Sequence, residues 1–505
     1  MLSSTVEVAA EPSCSARVER LRWDRRIRAA AVVVGASVAL AACGGGASSG
    51  PTASQTAAGG GSQLPHGFPS SWPMYGAGPL HDAAFSAPAS ARALWRGYRW
   101  NFAELSALPL GGPPKDSSVL GARRAPVKTT QSLGNAVGVT VVNGVVYSES
   151  DMGRLYALNA ATGKLLWKAR GNNAFMGNPL VEHGIVVAGT GDTGFSFNQM
   201  VRFNRHLPIT RGLGWASIYA YNARTGKKLW EVPTRGEDMS SLAYSNGVVF
   251  EATGGGRVLA LSLRTGHQVW SKRLSGFDSM SSLAIAGHTL FAGFSGPNYV
   301  YALSTRTGKV RWRQTVAGIA NTGMGDNSPA VDPARGIVVQ NSVIDANPVT
   351  NTMRSEVFAM NAATGKILWQ AKLPRGAAPP AYKAGVAMIH NGVVYVGSPN
   401  LSTFFALSET TGKVLWQFKI NGAGPAGAGR GGATYYHGTL WLAAGPRIYA
   451  LDPADGRLRG SLVAGGRFGL VNPVIVGGTM YLGNSWGWTQ AVPLSAVFPK
   501  WASVR

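Results

Sequence analysis

Apolar and polar residues alternate along most of this chain, in short runs that stop at turn-forming pairs. "VTVVNGVVYSES" (139–150) breaks at Asn143-Gly144, "PLVEHGIVVAGT" (179–190) at His183-Gly184, and "LAYSNGVVFEAT" (242–253) at Asn246-Gly247. A period of two puts every second side chain on one buried face, which predicts half-buried β-strands. Asn-Gly between two such runs predicts a tight hairpin, because both central residues of the favoured turn need positive φ.

Each hairpin is followed by a second, more stereotyped one. "LYALNAATGKLLW" (155–167) recurs as "IYAYNARTGKKLW" (218–230), "VLALSLRTGHQVW" (258–270), "VYALSTRTGKVRW" (300–312), "VFAMNAATGKILW" (357–369), "FFALSETTGKVLW" (404–416) and "IYALDPADGRLRG" (448–460). The last copy carries Gly460 where the others have tryptophan. An apolar strand with a fixed small Ala leads into a turn opened by Asn, Ser or Asp, whose short polar group bonds nearby backbone. The turn glycine supplies positive φ, and the closing Trp offers a large area for burial. Two hairpins make a four-stranded unit, and the tryptophans are 40 to 63 residues apart. That period predicts a β-propeller. "ALWRGY" would place Trp95 on a lone fourth strand, and "NPVIVGGTMYLGNSWGWTQAVPL" (472–494) supplies three strands without a fourth. Joined, they make an eighth blade. The expectation is an all-β, eight-bladed propeller of four-stranded antiparallel blades over 71–505, closed by an N-terminal strand pairing with C-terminal strands. Trp95, Trp167, Trp230, Trp270, Trp312, Trp369 and Trp416 are the expected structural docking residues between blades.

Composition agrees with a turn-rich β-protein: 67 glycines and only 14% charged residues in 505. The formal charge of +24 favours acidic partners. The basic residues form no arm and no aromatic-basic motif, which argues against nucleic acid. Two cysteines, Cys14 and Cys43, argue against a disulfide framework or a cysteine metal site. Residues 17–28 are basic, and "AAAVVVGASVALAAC" follows, too short to span a bilayer comfortably. Residues 1–42 therefore read as a signal peptide and 43–70 as a Gly/Ser/Ala tether. "LAAC" resembles a lipobox, which makes Cys43 the expected lipidation site and anchors the chain at the cell envelope.

The repeat Ala-x-Asn-x-x-Thr-Gly-Lys-x-x-Trp, met directly by Ala157, Asn159, Thr162, Gly163, Lys164 and Trp167, resembles the PQQ-type β-propeller repeat family. That family includes quinoprotein alcohol dehydrogenases and the propeller lipoprotein of the outer-membrane-protein assembly machinery. The resemblance covers about 71–494 and implies the propeller fold. For a dehydrogenase it also implies pyrroloquinoline quinone (PQQ), a catalytic Asp, calcium, and often a disulfide of adjacent cysteines, a pair that is missing here.

The long insertions, 96–133, 191–216, 341–355 and 417–432, all fall in the connections of one face, which is the expected working face. Aligning the innermost strands places Ala136, Met176, Met239, Met280, Asp326, Ala384, Arg430 and Leu470 around the channel mouth. Met176, Met239, Met280, Asp326, Asn327, Lys383, Arg430 and Arg467 form the candidate ligand or partner face. Arg123, Arg124, Lys128, Arg202, Arg205 and Arg211 add positive charge. The function expected from this is an exported, lipid-anchored binding or scaffold module, monomeric and without catalytic residues, for envelope proteins or anionic envelope polymers. The alternative is a PQQ-dependent dehydrogenase with an atypical site.

Overall fold

The computed structural model describes residues 75–504, except Pro79, 86–96, 104–137, 151–152, 319–323, Gly325, 380–382, 424–427, Val471, 485–486 and much of 192–214. The segments read as signal peptide and tether, with Cys43, lie outside the described residues.

The chain forms eight sheets arranged as successive blades. Blade 1 runs from Val139 to Arg170, blade 2 from Leu180 to Thr234, blade 3 from Ala243 to Arg273 and blade 4 from Ala284 to Thr315. Blade 5 spans Ala330 to Lys372, blade 6 Ala387 to Lys419 and blade 7 Thr434 to Phe468. Blade 8 joins Val474–Val476, Thr479–Gly483 and Trp488–Pro493 to the N-terminal strand Trp100–Ala103. Trp100 lies opposite Ala491 and Ala103 opposite Trp488, so the ring closes antiparallel. In blade 7 the long run Thr439–Leu451 pairs with the inner strand at its start and with the outer strand at its end.

The repeat letters have direct structural meanings. The fixed Ala faces the Trp across the outer strand pair: Ala157↔Trp167, Ala260↔Trp270, Ala359↔Trp369. Asn159 Oδ1 accepts hydrogen bonds from the Ala161 and Thr162 amides, both at 3.0 Å. Each indole crosses to the following blade and covers its turn glycine. Trp270 lies over Gly308, where an added Cβ would stand 2.6 Å from the indole ring, and φ is +67°. Only glycine meets both conditions. The indole N–H donates to a turn carbonyl of the same blade, from Ala160 for Trp100 to Pro453 for Trp416, at 2.6 to 3.0 Å over seven interfaces.

The first of those indoles corrects an expectation. Trp95 lies outside the described residues, and Trp100 takes the docking position on Gly163 and Ala160. Both tryptophans precede the first repeat, and "ALWRGY" lacks the upstream Ala and turn that fix the register elsewhere. The eighth interface explains why Gly460 replaces tryptophan. The C-terminal segment beyond blade 8 lies against it, and a Cβ at 460 would stand 2.2 Å from the Val497 carbonyl oxygen.

Inside the ring, residues just ahead of the inner strands bridge the blades as a belt. The amide of Asn178 donates to Ser241 Oγ at 2.7 Å, that of Ser241 to Ser282 Oγ at 3.0 Å, and that of Ser282 to Ser328 Oγ at 2.9 Å. The Gly432 amide donates to Asn472 Oδ1 at 2.6 Å. The lead-in segment 75–85 threads this channel. Leu80 accepts from the Val331 amide in blade 5, and Ala84–Phe85 add a short parallel strand to the inner edge of blade 7. The insertion at 341–355 is a paired hairpin rather than a loop: Ile337–Asn347 pairs with Thr352–Asn361, with a register shift between Ile344 and Asn347 and Val349 at the exposed tip.

Replacing Trp312 with Ala removes a mostly buried indole and its hydrogen bond, and should cost about 3 kcal/mol in denaturant unfolding. Gly460→Trp restores the repeat letter yet should also destabilise, because the Val497 carbonyl occupies the space; a gain in stability would contradict this packing.

Candidate functional site

The segments that lead into the inner strands of blades 3, 4 and 5 carry the site residues. The belt serines 241, 282 and 328 form one level. Two residues earlier stand Met239, Met280 and Asp326, and two earlier again Glu237, Asp278 and Met324. Met176 and Leu470 hold the corresponding places relative to Asn178 and Asn472.

Met176, Met239 and Met280 do come together, packed with Tyr75, Ala174, Val386 and Leu470 in a cluster separate from the blade cores. Tyr75 comes from the lead-in segment, its hydroxyl facing Asn472 and Ser328, and burial pushes its pKa up to about 12.

The charged residues gather beside this cluster. Lys383 Nζ bonds Asp326 Oδ2, and Arg430 Nη2 reaches the same oxygen at 3.2 Å. The Asp326 side chain is 1% exposed, that of Lys383 10% and that of Arg430 20%. Arg211, from the blade 2 insertion, places Nε 2.6 Å from Glu237 Oε1. Its backbone is clamped as well: its amide donates to Gly254 and its carbonyl accepts from Glu237. Asp326 Oδ1 and Arg430 Nε are buried without a hydrogen-bond partner, as are both carboxyl oxygens of Asp278. Buried polar atoms left in this way are costly.

Burial works against charge at every one of these groups. It would raise Asp326, but Lys383, Arg211 and Arg430 together outweigh it and hold the carboxyl at about 2. Burial brings Lys383 down to about 8 despite Asp326, with Arg211 and Arg430 adding to the effect. Glu237 is pushed up to about 7 by burial, only partly opposed by Arg211. Burial raises Glu149 to about 8 and lifts Asp238, Glu251 and Asp278 well above the usual carboxylate range. The mouth thus holds Asp326 well below the usual carboxylate range beside Lys383 and Arg430, while burial lifts the carboxyls around it.

Other expected site residues do something else. Asn327 is fully buried; its carbonyl accepts from Ser281 Oγ at 2.9 Å and Gln340 Nε2 at 2.6 Å, so it braces the wall. Arg467 Nη2 donates to the Ala423 carbonyl at 3.1 Å. Arg123, Arg124 and Lys128 lie outside the described residues. Sequence reasoning missed Tyr75, Glu237 and Asp278. The last two could have been found by stepping back two residues from Met239 and Met280; Tyr75 arrives from a segment without repeat register.

Comparison with known proteins places this geometry. A family profile described as "Outer membrane protein assembly factor BamB" matches residues 87–206, 214–346 and 333–487. The crystal structure of BamB from Moraxella catarrhalis superimposes with a TM-score of 0.50 at 16% identity, over 71% of this chain and 96% of that one. The chain belongs to this PQQ-type propeller family. Within it, the chain belongs with the tetrathionate hydrolases. It is 43% identical to the tetrathionate hydrolase of Acidithiobacillus ferrooxidans over 85% of this chain and 87% of that protein. It is 38% identical to the tetrathionate hydrolase of Acidianus ambivalens, over 86% of each.

These relatives overturn two expectations. The chain is a member of an enzyme family, so the binding or scaffold module without catalytic residues is corrected. The alternative, an enzyme, lies nearer, but the two relatives that match over most of the chain are named as hydrolases. The mouth also fits a calcium-held quinone poorly. Calcium takes about six to eight oxygen ligands, whereas the Asp326 carboxylate is engaged by an ammonium and a guanidinium. Among the described residues no group of three or more His, Cys, Asp or Glu side chains has metal-holding geometry.

The buried acids set the pH response of the fold. Glu149 and Glu237 have folded pKa values near 8 and 7, above their unfolded values near 4.5, so their stabilising protons are fully bound below about pH 4.5 and lost as pH rises through 7 to 8. Asp326 acts in the opposite sense: its contribution is present above about pH 4 and lost as pH falls through about 2. His81 and His390, both lowered to about 4 by burial, also weaken the fold on the acid side. The acids outnumber the imidazoles, so the melting temperature should peak near pH 4 to 5 and fall towards pH 8. Glu149→Gln should flatten the alkaline limb; an unchanged limb would remove Glu149 as its source.

Proposed function

We propose that this protein hydrolyses tetrathionate at the channel mouth, with Lys383, Arg430 and Arg211 receiving the sulfonate groups and Asp326 handling the proton. The observation that carries this reading is the buried cation trio around the Asp326 carboxyl, in a chain 43% identical to a named tetrathionate hydrolase.

A sulfonate is a hard anion with three acceptor oxygens, suited to charge-assisted bonds from lysine and arginine. When the dianion takes over Lys383 and Arg430, Asp326 loses the partners that keep its pKa low and gains like charge beside it. Both changes raise its pKa, so in acid it carries a proton. Water then adds to one terminal sulfur, the adjoining S–S bond breaks, and the bonding pair goes to the sulfane sulfur, which takes the proton from Asp326. Of the two protons that water releases, one restores Asp326 and one leaves. The products are sulfate, a protonated disulfane sulfonate and one proton. The guanidinium and ammonium groups also stabilise charge that develops on the leaving fragment.

The basic-then-apolar N-terminus supports export, with Cys43 as lipid acceptor. Relatives named as outer-membrane assembly factors agree with an envelope setting, among them one from Shewanella oneidensis, 25% identical over 35% of this chain.

Purified protein incubated with tetrathionate should consume it with release of sulfate and acid, faster as pH falls from 7. Asp326→Asn should lose at least about a hundredfold in kcat, the scale of a positioned proton-transfer group. Arg430→Gln should raise KM roughly tenfold or more while leaving the fold intact. Full activity in Asp326→Asn would sink this assignment.

A further inference from the structure

We propose that Met280, backed by Met176, Met239 and Tyr75, selects the substrate by its chain of divalent sulfur. The inference rests on the mouth being a polythionate site and adds the part of the ion that the cations cannot read. A polythionate has hard charged ends joined by divalent sulfurs, which are polarisable and accept hydrogen bonds weakly. Lysine and arginine recognise the ends of every member alike. Only a soft, close-fitting surface gains attraction along the middle, and thioethers provide that through dispersion.

The wall offers such a surface at the right level. Met280 lies just ahead of the inner strand of blade 4, as Asp326 lies just ahead of that of blade 5, each two residues before the belt serine of its blade, Ser282 and Ser328. Met239 and Met176 take the same height on the two preceding blades. Met239 is fully buried and Met176 nearly so, packed on Tyr75, whereas Met280 joins the cluster only partly buried. Met280 is therefore the thioether with surface left for a ligand, and the others hold it in place from behind. The ring thus has a charged arc, Asp326 with Lys383 and Arg430, and an adjoining sulfur-rich arc. An ion with charged ends and a soft centre matches both.

The test is steady-state kinetics on trithionate, tetrathionate and pentathionate, which carry one, two and three divalent sulfurs, using the unmodified protein, Met280→Leu and Met280→Asn. Met280→Asn should lower kcat/KM for tetrathionate and pentathionate roughly tenfold or more, mostly through KM, and trithionate much less. Met280→Leu keeps apolar volume and should lie between. A merely structural methionine would give equal losses on all three substrates, and that result, or no loss at all, overturns the proposal. If Met280→Asn fails to fold, the chain-length ratio in Met280→Leu decides. If the unmodified protein turns over none of the three, the hydrolase reading fails. Calorimetric binding of the same ions to it and to Met280→Leu then judges the methionine separately: a chain-length preference lost in the variant supports it, and its absence overturns it.

Discussion

An indole laid over a glycine turn of the next blade is the contact on which the ring depends. A four-stranded blade has two apolar faces and cannot bury them alone. The docking tryptophan covers the neighbour's turn and bonds its carbonyl, so position and rotation are set together. Seven such contacts are spaced around the ring. The eighth interface uses the C-terminal segment over Gly460, where a side chain would collide with the Val497 carbonyl. Trp100–Ala103 then completes blade 8 as a four-stranded sheet and closes the ring.

A ring fixed in this way has a consequence at its centre. The inner strands converge, and residues far apart in sequence face one another across a narrow, poorly solvated channel. Asp326, Lys383 and Arg430 come from three successive blades, and Arg211 from an insertion in another. In water their charges would interact weakly. In the channel, burial and opposite charge compete, which holds Asp326 low and lifts its acidic neighbours above the usual carboxylate range. The same dry surroundings that penalise a free charge favour an anionic ligand able to match the cations.

The sequence made the blade count and the hairpin turns legible, because each depends on local rules: period-two alternation, Asn-Gly turns and a repeated Trp-Gly pair. It misplaced the first docking tryptophan, since Trp95 and Trp100 both lack repeat context. It took 341–355 for a loop, although its strand propensity supports a paired hairpin. Aligning inner strands brought Asp326, Arg430 and the methionines to one level, and the structure agrees. Asn327, expected on the ligand face, is buried ahead of the inner strand of blade 5, where its backbone carbonyl accepts from Ser281 and Gln340.

The linear sequence by itself determined the propeller, since every blade repeats a local code that does not need its neighbours to be recognised. Tertiary structure alone decided what the mouth is. Tyr75 enters the channel from a segment without repeat register, Glu237 and Asp278 rise above the usual carboxylate range only once buried, and Lys383 and Arg430 share one carboxylate oxygen only after the blades converge. Charge state and proximity are properties of the closed ring, and no window of sequence contains them.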